Sequence, residues 1–155
     1  GLAGSEYTAI TKKHPDRLPN PKNIPLNQCR KLYAHLHKLI HTDVLSSLHD
    51  ICEGGLLVAL SECLFGNELG ATMHLPTQLD SEELLADFCF SEGAGGFVVS
   101  VTQENMDQLK DTWPEDLGLC ELGEVTHSGQ LSIHWKTQQW SLSTQKLRNH
   151  WENNV

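Results

Sequence analysis

The residues with the clearest potential for chemistry lie together in the segment HDICEGG, from His49 to Gly55. An imidazole next to a carboxylate, as at His49 and Asp50, can orient a substrate hydroxyl or exchange a proton near neutral pH. Gly54 and Gly55 stand where an apolar segment begins. Glycines at the start of a helix leave its unpaired N–H groups open to an anion such as phosphate. The segment therefore predicts an anion-binding turn beside an acid–base pair.

Each of these residues also has a purely structural explanation. The two glycines can bring the first helical turn close to a neighbouring strand, Asp50 can cap the helix, and His49 can make a structural hydrogen bond. Glu53 opposes phosphate binding because its carboxylate would repel the ligand, unless a cation such as Mg2+ lies between them or the side chain points away. Both explanations remain open at this point.

Two other patterns are weaker candidates. His37 and His41 lie four residues apart on a predicted helix, a spacing that can hold a metal ion. No HExxH acid or third ligand accompanies them, so we expect solvated histidines and no metal site. The segment SEGAGG, residues 91–96, lacks the lysine of a phosphate-binding loop and precedes a strand, so we expect a mobile loop.

The composition excludes several classes of function. A net charge of -9 without clustered lysines and arginines argues against a nucleic-acid partner. The apolar runs are too short to cross a membrane and the N-terminus lacks the order of a secretory signal, so we expect a soluble cytoplasmic protein with no membrane partner. The five cysteines are odd in number and form no CxxC pair, which indicates buried reduced thiols.

The elements that position the candidate residues follow from the spacing of apolar residues. Helices are predicted over five segments: Leu26 to Ile40, Gly54 to Phe65, Asp80 or Ser81 to Phe90, Thr102 to Trp113, and Ser143 to about Glu152. Gly66 and Asn67 are expected to end the second helix in the left-handed conformation. The last helix is expected to bury Leu147 and Trp151.

Strands are predicted over residues 69–75, 97–101, 119–125 and 131–135. The turn signal THSG between the last two predicts that they form a hairpin. This succession of elements predicts an α/β (α+β) fold in which one mixed β-sheet is flanked by helices. Four prolines between Pro15 and Pro25 predict an irregular N-terminal segment over residues 1–25, followed by a single α/β domain over 26–155.

Four segments, in order, resemble one enzyme family. They are GLAGSEY (1–7), HDICEGGLLVALSE (49–62), the strand around GA (70–71), and CFSE (89–92) before an apolar strand. Together with a similar terminal helix, they resemble the C-terminal domain of phosphoribosylformylglycinamidine synthase over nearly the whole chain. That enzyme belongs to the aminoimidazole ribonucleotide synthetase superfamily. Because other members, such as selenophosphate synthetase, share the His-Asp and Gly-Gly pattern, one of them is the alternative, and a non-catalytic interaction module is a third.

The resemblance implies an ATP-dependent carbon–nitrogen ligase of purine biosynthesis, of which this chain is a C-terminal part that is inactive alone. In that family ATP phosphorylates the formylglycinamide oxygen of formylglycinamide ribonucleotide. Ammonia, released from glutamine by a glutaminase domain or subunit, then displaces the phosphate to give the amidine. ATP and Mg2+ are bound mainly by a nucleotide-binding domain, whose motifs this sequence lacks. We therefore expect the remaining domains of the enzyme, the glutaminase and the ribonucleotide as partners.

The resemblance also implies which residues line the cleft, and it assigns no catalytic residue or metal ligand to this chain. Gly54 and Gly55 would present amides to a phosphate of ATP or of the ribonucleotide, beside His49 and Asp50. The remaining expected lining is Glu53, Ser91 and Glu92, with an adjoining wall of Gly4, Ser5, Glu6 and Tyr7. Cys52 replaces the family's usual Ser or Ala, and GAGG at 93–96 replaces a segment that often carries an arginine.

Overall fold

The computed structural model describes residues 2–12, 25–67 and 69–153, and the elements below are those of these residues. The helices are α1 (Glu6–Thr11), α2 (Leu26–His41), α3 (Gly55–Phe65), α4 (Glu82–Phe90), α5 (Met106–Thr112) and α6 (Thr144–Asn153). The strands are β1 (Ser47–Asp50), β2 (Gly70–His74), β3 (Phe97–Ser100), β4 (Gly123–Thr126), β5 (Gln130–Trp135) and β6 (Gln138–Ser143). A short 3-10 turn, Gln103–Asn105, leads into α5.

The described strands form two sheets, so the predicted single mixed sheet is wrong in number although the α/β fold class is confirmed. β1 and β3 form an antiparallel ribbon, and the second sheet has the strand order β4-β2-β5-β6. In that sheet β2 is parallel to β5 and antiparallel to β4. The larger sheet is therefore mixed, as predicted, and the β1–β3 ribbon is a separate, second sheet.

The predicted hairpin of the segments around β4 and β5 is wrong. β2 lies between these two strands: Gly70 pairs with Thr126 on one side, and Ala71 pairs with Leu131 on the other. The THSG turn therefore crosses the start of β2 and does not join neighbouring strands. The hairpin of this sheet is instead β5–β6, in which Trp135 pairs with Gln138. Its turn contains Lys136 in the left-handed region, with φ of 52°.

Helix α3 connects the two parts of the fold, because it contacts α4, α6 and both strands of the β1–β3 ribbon. Its apolar sequence is explained by this position, since it has neighbours on several sides. The main core lies between α3, α4 and the central strands, and includes Leu64, Met73 and Leu131, each at most 2% exposed. A second cluster of Leu39, Val44 and Leu109 joins α2 to α5. Helix α3 is thus packed against other elements on several sides.

The helix predictions are confirmed for α2 to α6, with three corrections. α1 forms within the N-terminal segment that was predicted to be irregular, while residues 13–24 of that segment lie outside the described residues. Gly66 is right-handed, with φ of -62°, so the predicted left-handed end of α3 is wrong. Trp151 is 47% exposed and only Leu147 packs against the core. Ser81 caps α4 by accepting a hydrogen bond from Leu84 N–H, as expected.

The cysteines are free thiols, as predicted, but the prediction that they are buried holds only for Cys89. Cys52 and Cys120 are exposed, and Cys29 and Cys63 are half-buried. Burial raises the pKa of Cys89 to about 11, so this thiol stays protonated at neutral pH. None of the helices in the described ranges has the length and apolar content that a membrane span requires.

Candidate functional site

The His49–Gly55 segment lies beside the 91–96 loop because β1 and β3 are paired. In the ribbon Asp50 lies opposite Phe97, and Ile51 N–H donates a hydrogen bond to Gly96 O at 2.9 Å. The turn after β1 and the loop before β3 therefore run side by side. They enclose a cavity of about 670 Å³ at this end of the ribbon. The two glycine-containing segments that the sequence singled out thus form one site.

The cavity has an apolar wall and an acidic wall. The apolar wall consists of Tyr33, Leu48, Ile51 and Phe97. The rings of Tyr33 and Phe97 meet edge to face at a centroid distance of 5.6 Å. The acidic wall consists of His49, Asp50, Cys52, Glu53 and Glu92. No lysine or arginine occurs among these lining residues. A bare phosphate would therefore be repelled by three carboxylates, whereas a hydroxyl group or a cation would be attracted.

Asp50 and Cys52 form a hydrogen-bonded pair on the acidic wall. The Cys52 thiol donates to Asp50 Oδ2 at 2.7 Å. This bond is the main reason why the pKa of Asp50 lies below its usual value and that of Cys52 above it. Asp50 is consequently an ionised acceptor at neutral pH, and Cys52 is a neutral thiol. Cys52 thus supplies the donor that a serine would supply at this position.

His49 is held on both sides of its ring. Its Nδ1 lies 2.7 Å from the backbone O of Asp50, and its Nε2 lies 3.4 Å from Glu62 Oε2 on α3. The imidazole is therefore not free to rotate without losing a contact. The distance from His49 Nδ1 to the side-chain oxygen Oδ1 of Asp50 is 3.9 Å, which is too long for a hydrogen bond. The predicted acid–base pair is thus adjacent but not directly hydrogen-bonded between side chains.

The prediction that the Gly54 and Gly55 amides are free for a phosphate is wrong for this structure. Gly54 N–H donates to Glu92 Oε1 at 2.8 Å, and Gly55 N–H donates to Cys52 O at 3.1 Å. Glu92 therefore provides the negative charge at the position where a ligand was expected. The helix start attracts an anion, as physical chemistry requires, but the anion belongs to the chain itself.

The structural explanation of the glycines is the one that the geometry supports. Gly54 and Gly55 both have positive φ, 79° and 77°. A Cβ on Gly55 would lie 2.6 Å from Phe90 Cα, so only glycine permits the contact between this turn and the end of α4. The glycines thus allow a close approach that places Glu92, two residues after Phe90, against the turn.

The GSEY segment reaches the site through two contacts and does not line the cavity itself. Glu6 N–H donates to the same Glu92 Oε1 at 2.9 Å, and the Tyr7 ring stacks on Phe90 at a centroid distance of 4.9 Å. Ser5 is buried and caps α1, and Gly4 precedes it with φ of 80°. The three motifs therefore meet at Glu92.

Three further residues, Ser91, His37 and His41, make local contacts. Ser91 donates to Asp87 Oδ1 at 2.9 Å and is not among the residues that line the cavity. His37 and His41 are exposed with their Nε2 atoms 3.1 Å apart, and within the described part of the chain no group of three or more His, Cys, Asp or Glu side chains could hold a metal ion. The acidic wall therefore offers Mg2+ no group of three protein ligands.

Sequence reasoning missed Tyr33, Leu48, Ile51, Phe97 and the role of Glu62. Tyr33 follows the apolar spacing of α2, and this pattern cannot distinguish a core residue from one that lines a cavity. Phe97 is the first residue after the glycine loop, which would have been a usable signal. Glu62 lies on an otherwise apolar helix, and a lone carboxylate in such a segment suggests a specific polar partner.

The chain is an α/β domain in which an apolar helix follows a glycine turn. An acidic cavity lies at the end of its two-stranded ribbon. Residues 1–136 match the family described as AIR synthase related protein, C-terminal domain. The chain belongs to that family, which confirms the resemblance and the fold class.

Curated relatives carry the name phosphoribosylformylglycinamidine synthase subunit PurL. The chain is 30% identical to the protein from Lactobacillus acidophilus over 97% of its own length, and 31% identical to that from Lactobacillus helveticus over 99%. It spans about a fifth of the length of these relatives, 19% in both cases. The match therefore covers one part of a much longer protein.

Solved structures of Thermotoga maritima PurL share the fold. The complex with ATP has a TM-score of 0.63 at 19% identity, covering 75% of this chain and 21% of that one. The complex with FGAR has a TM-score of 0.61 at 18% identity, covering 77% and 20%. PurLQS gives 0.65 at 19% identity, covering 86% and 23%. At these identities the likeness establishes the architecture alone.

Proposed function

We propose that this chain is the C-terminal domain of a phosphoribosylformylglycinamidine synthase, in which it forms one wall of the nucleotide-binding cleft. The observation that carries the proposal is the meeting of three family motifs at Glu92: the start of α1, the turn before α3 and the 91–96 loop. The names of the curated relatives support this enzyme over other members of the superfamily. The whole enzyme would form the amidine from formylglycinamide ribonucleotide, ATP and ammonia supplied from glutamine.

The charge of the cavity indicates which part of a ligand this chain would bind and which part other domains would bind. Asp50 and Glu53 can accept hydrogen bonds from ligand hydroxyl groups, and Tyr33 can pack against an apolar or ring-shaped part of the ligand. The phosphates and Mg2+ would be held by other domains, because the lining has no basic side chain and no three-ligand metal group. ATP would supply the activating phosphoryl group there. The ligand's hydroxyl-bearing portion would lie against this chain.

The exposed cysteines bear on the cell compartment in which the proposed enzyme would work. Cys52 and Cys120 are exposed free thiols, which are typical of proteins in a reducing compartment. We therefore place the enzyme in the cytoplasm, together with its glutaminase partner.

The experiment is ammonia-dependent amidine formation by the longer polypeptide that contains this chain. Asp50→Asn and Tyr33→Ala should each lower kcat/KM for the ribonucleotide at least about tenfold, a loss of roughly 1.4 kcal/mol in transition-state stabilisation. Glu83→Gln is the matched control, because Glu83 lies exposed on α4 away from the cavity. Wild-type kcat/KM in both cavity variants, with normal folding, would disprove the role of this cavity.

A further inference from the structure

Helix α6 lies outside the region that the family description covers, yet it reaches back to the site. The family match ends at residue 136, whereas α6 begins at Thr144. α6 packs on α3, and the two helices border a second cavity of about 370 Å³. His49 lines this cavity as well as the larger one, so a single imidazole lies between the two.

A continuous chain of polar contacts runs from α6 to His49. The Trp151 indole Nε1–H donates to Glu62 Oε1 at 2.8 Å. The other carboxylate oxygen, Oε2, faces His49 Nε2 at 3.4 Å. Because the indole holds one oxygen of Glu62, the second oxygen is held at a fixed position relative to the imidazole. The opposite ring nitrogen of His49 lies against the Asp50 backbone, which completes the restraint on the ring.

Trp151 is itself placed by contacts that do not involve Glu62. Its ring packs against Phe65 at a centroid distance of 5.9 Å. One turn earlier on α6, Arg148 Nη1 donates to Phe65 O at 3.3 Å, and its Nε donates to Glu152. α6 is thus docked on the C-terminal end of α3 through Phe65. The contact from Trp151 to Glu62 is a separate feature of the same interface.

We propose that Trp151 and Glu62 are positioning residues that fix the orientation of the His49 imidazole at the cleft. This inference rests on the proposed function, because that function gives the His49 imidazole a ligand to bind. The predicted consequence concerns the free chain, however: the electronic environment of His49 depends on the Trp151 indole N–H, which lies two contacts away on helix α6.

The test uses the NMR signals of the His49 ring carbons and protons in the labelled chain without ligand. Trp151→Phe removes the indole donor and keeps an aromatic ring against Phe65, and Glu62→Gln removes the carboxylate charge. Each variant should shift the His49 ring signals, and the double variant should shift them no further than Glu62→Gln alone, because the effect of Trp151 passes through Glu62. The Trp151 indole N–H signal should also move in Glu62→Gln.

Gln145→Ala is the matched control, since it removes an exposed side-chain contact within α6, the one to Asn149, and leaves Glu62 and Phe65 untouched. It should leave the His49 signals in place. Unchanged His49 signals in Trp151→Phe, or an equal change in Gln145→Ala, would overturn the proposal. The measurement requires no activity, so its failure leaves the proposed enzyme function standing. Conversely, wild-type kcat/KM in Asp50→Asn would contradict the proposed role of the cavity and would leave the coupling between Trp151 and His49 untouched.

Discussion

The Glu92 carboxylate accepts a hydrogen bond from the backbone N–H of Gly54 at 2.8 Å, and the same oxygen also accepts one from Glu6. A negative charge therefore lies at the start of α3 before any ligand is present. This contact joins residues 38 positions apart and holds the 91–96 loop against the turn. The shape of the acidic cavity depends on it, because both segments line that cavity.

Replacing Glu92 with alanine should destabilise the chain measurably. The variant leaves the N–H groups of Glu6 and Gly54 without their acceptor, and bonds to a charged acceptor contribute more than neutral ones. We expect Glu92→Ala to lower the free energy of unfolding by about 1–3 kcal/mol in urea titrations. Glu92→Gln should lose less, since its amide oxygen still accepts. Equal stability of Glu92→Ala and an exposed control, Glu83→Ala, would contradict the assignment.

The close approach at Gly55 makes a second prediction. Gly55→Ala places a Cβ against the Phe90 backbone at a residue with φ of 77°, and α4 must move to accommodate it. Strain and overpacking together should cost about 2–4 kcal/mol of unfolding free energy. Gly93→Ala is the control, because a Cβ there meets no atom within 4 Å. A thermal melt that ranks the two variants alike would refute the packing role.

The Asp50–Cys52 bond predicts the reactivity of an exposed thiol. Because the carboxylate raises the pKa of Cys52 above its usual value of 9.0, little thiolate is available at neutral pH. Asp50→Asn removes the negative charge, so the pKa of Cys52 should fall and its alkylation by iodoacetamide should become several-fold faster. Peptide mass spectrometry gives the rate at each cysteine. The exposed Cys120 serves as an internal reference whose rate should not change.

His35 predicts a loss of stability in mild acid. Burial, together with Lys38 and Lys31, lowers its pKa from the usual 6.5, and its Nε2 is buried without a hydrogen-bond partner. The unfolded chain therefore takes up a proton at a higher pH than the folded chain. Stability should consequently fall as the pH drops below about 6.5 towards the lowered value.

His35→Phe tests this dependence, because a phenyl ring can still meet Trp113, which the imidazole contacts edge-on at 5.2 Å. The difference in unfolding free energy between about pH 7.5 and about pH 5.5 should be smaller in the variant than in the wild type. An equal difference in the two proteins would show that other groups are responsible. Urea titrations at both pH values supply the comparison.

The sequence predicts local structure well where one segment carries its own signal. The spacing of apolar residues predicts α2, and the Ser81 cap and acidic first turn predict α4, because these features act within a few residues. β1 was missed since its four residues include only one aliphatic side chain, Leu48. β6 was missed because it is mostly polar, and its Trp140 and Leu142 remain 40% and 43% exposed.

Contacts between distant segments were the ones that could not be predicted. Nothing in the THSG turn shows that β2 is inserted between β4 and β5, because that insertion depends on which strands best cover the core. Likewise, nothing near Gly54 shows that Glu92 takes its amide. Both outcomes follow from competition among long-range partners, which a local pattern does not record.

The central position of β2 has a consequence for how the chain is made. Both neighbours of β2 lie far along the sequence: Thr72 pairs with Glu124 and with Ser132. During synthesis this strand therefore leaves the ribosome about 50 residues before its first partner, and its buried Met73 has no sheet to join in that interval. β2 gains its second neighbour only when translation has passed β5, so its buried side chains need protection from premature association until then.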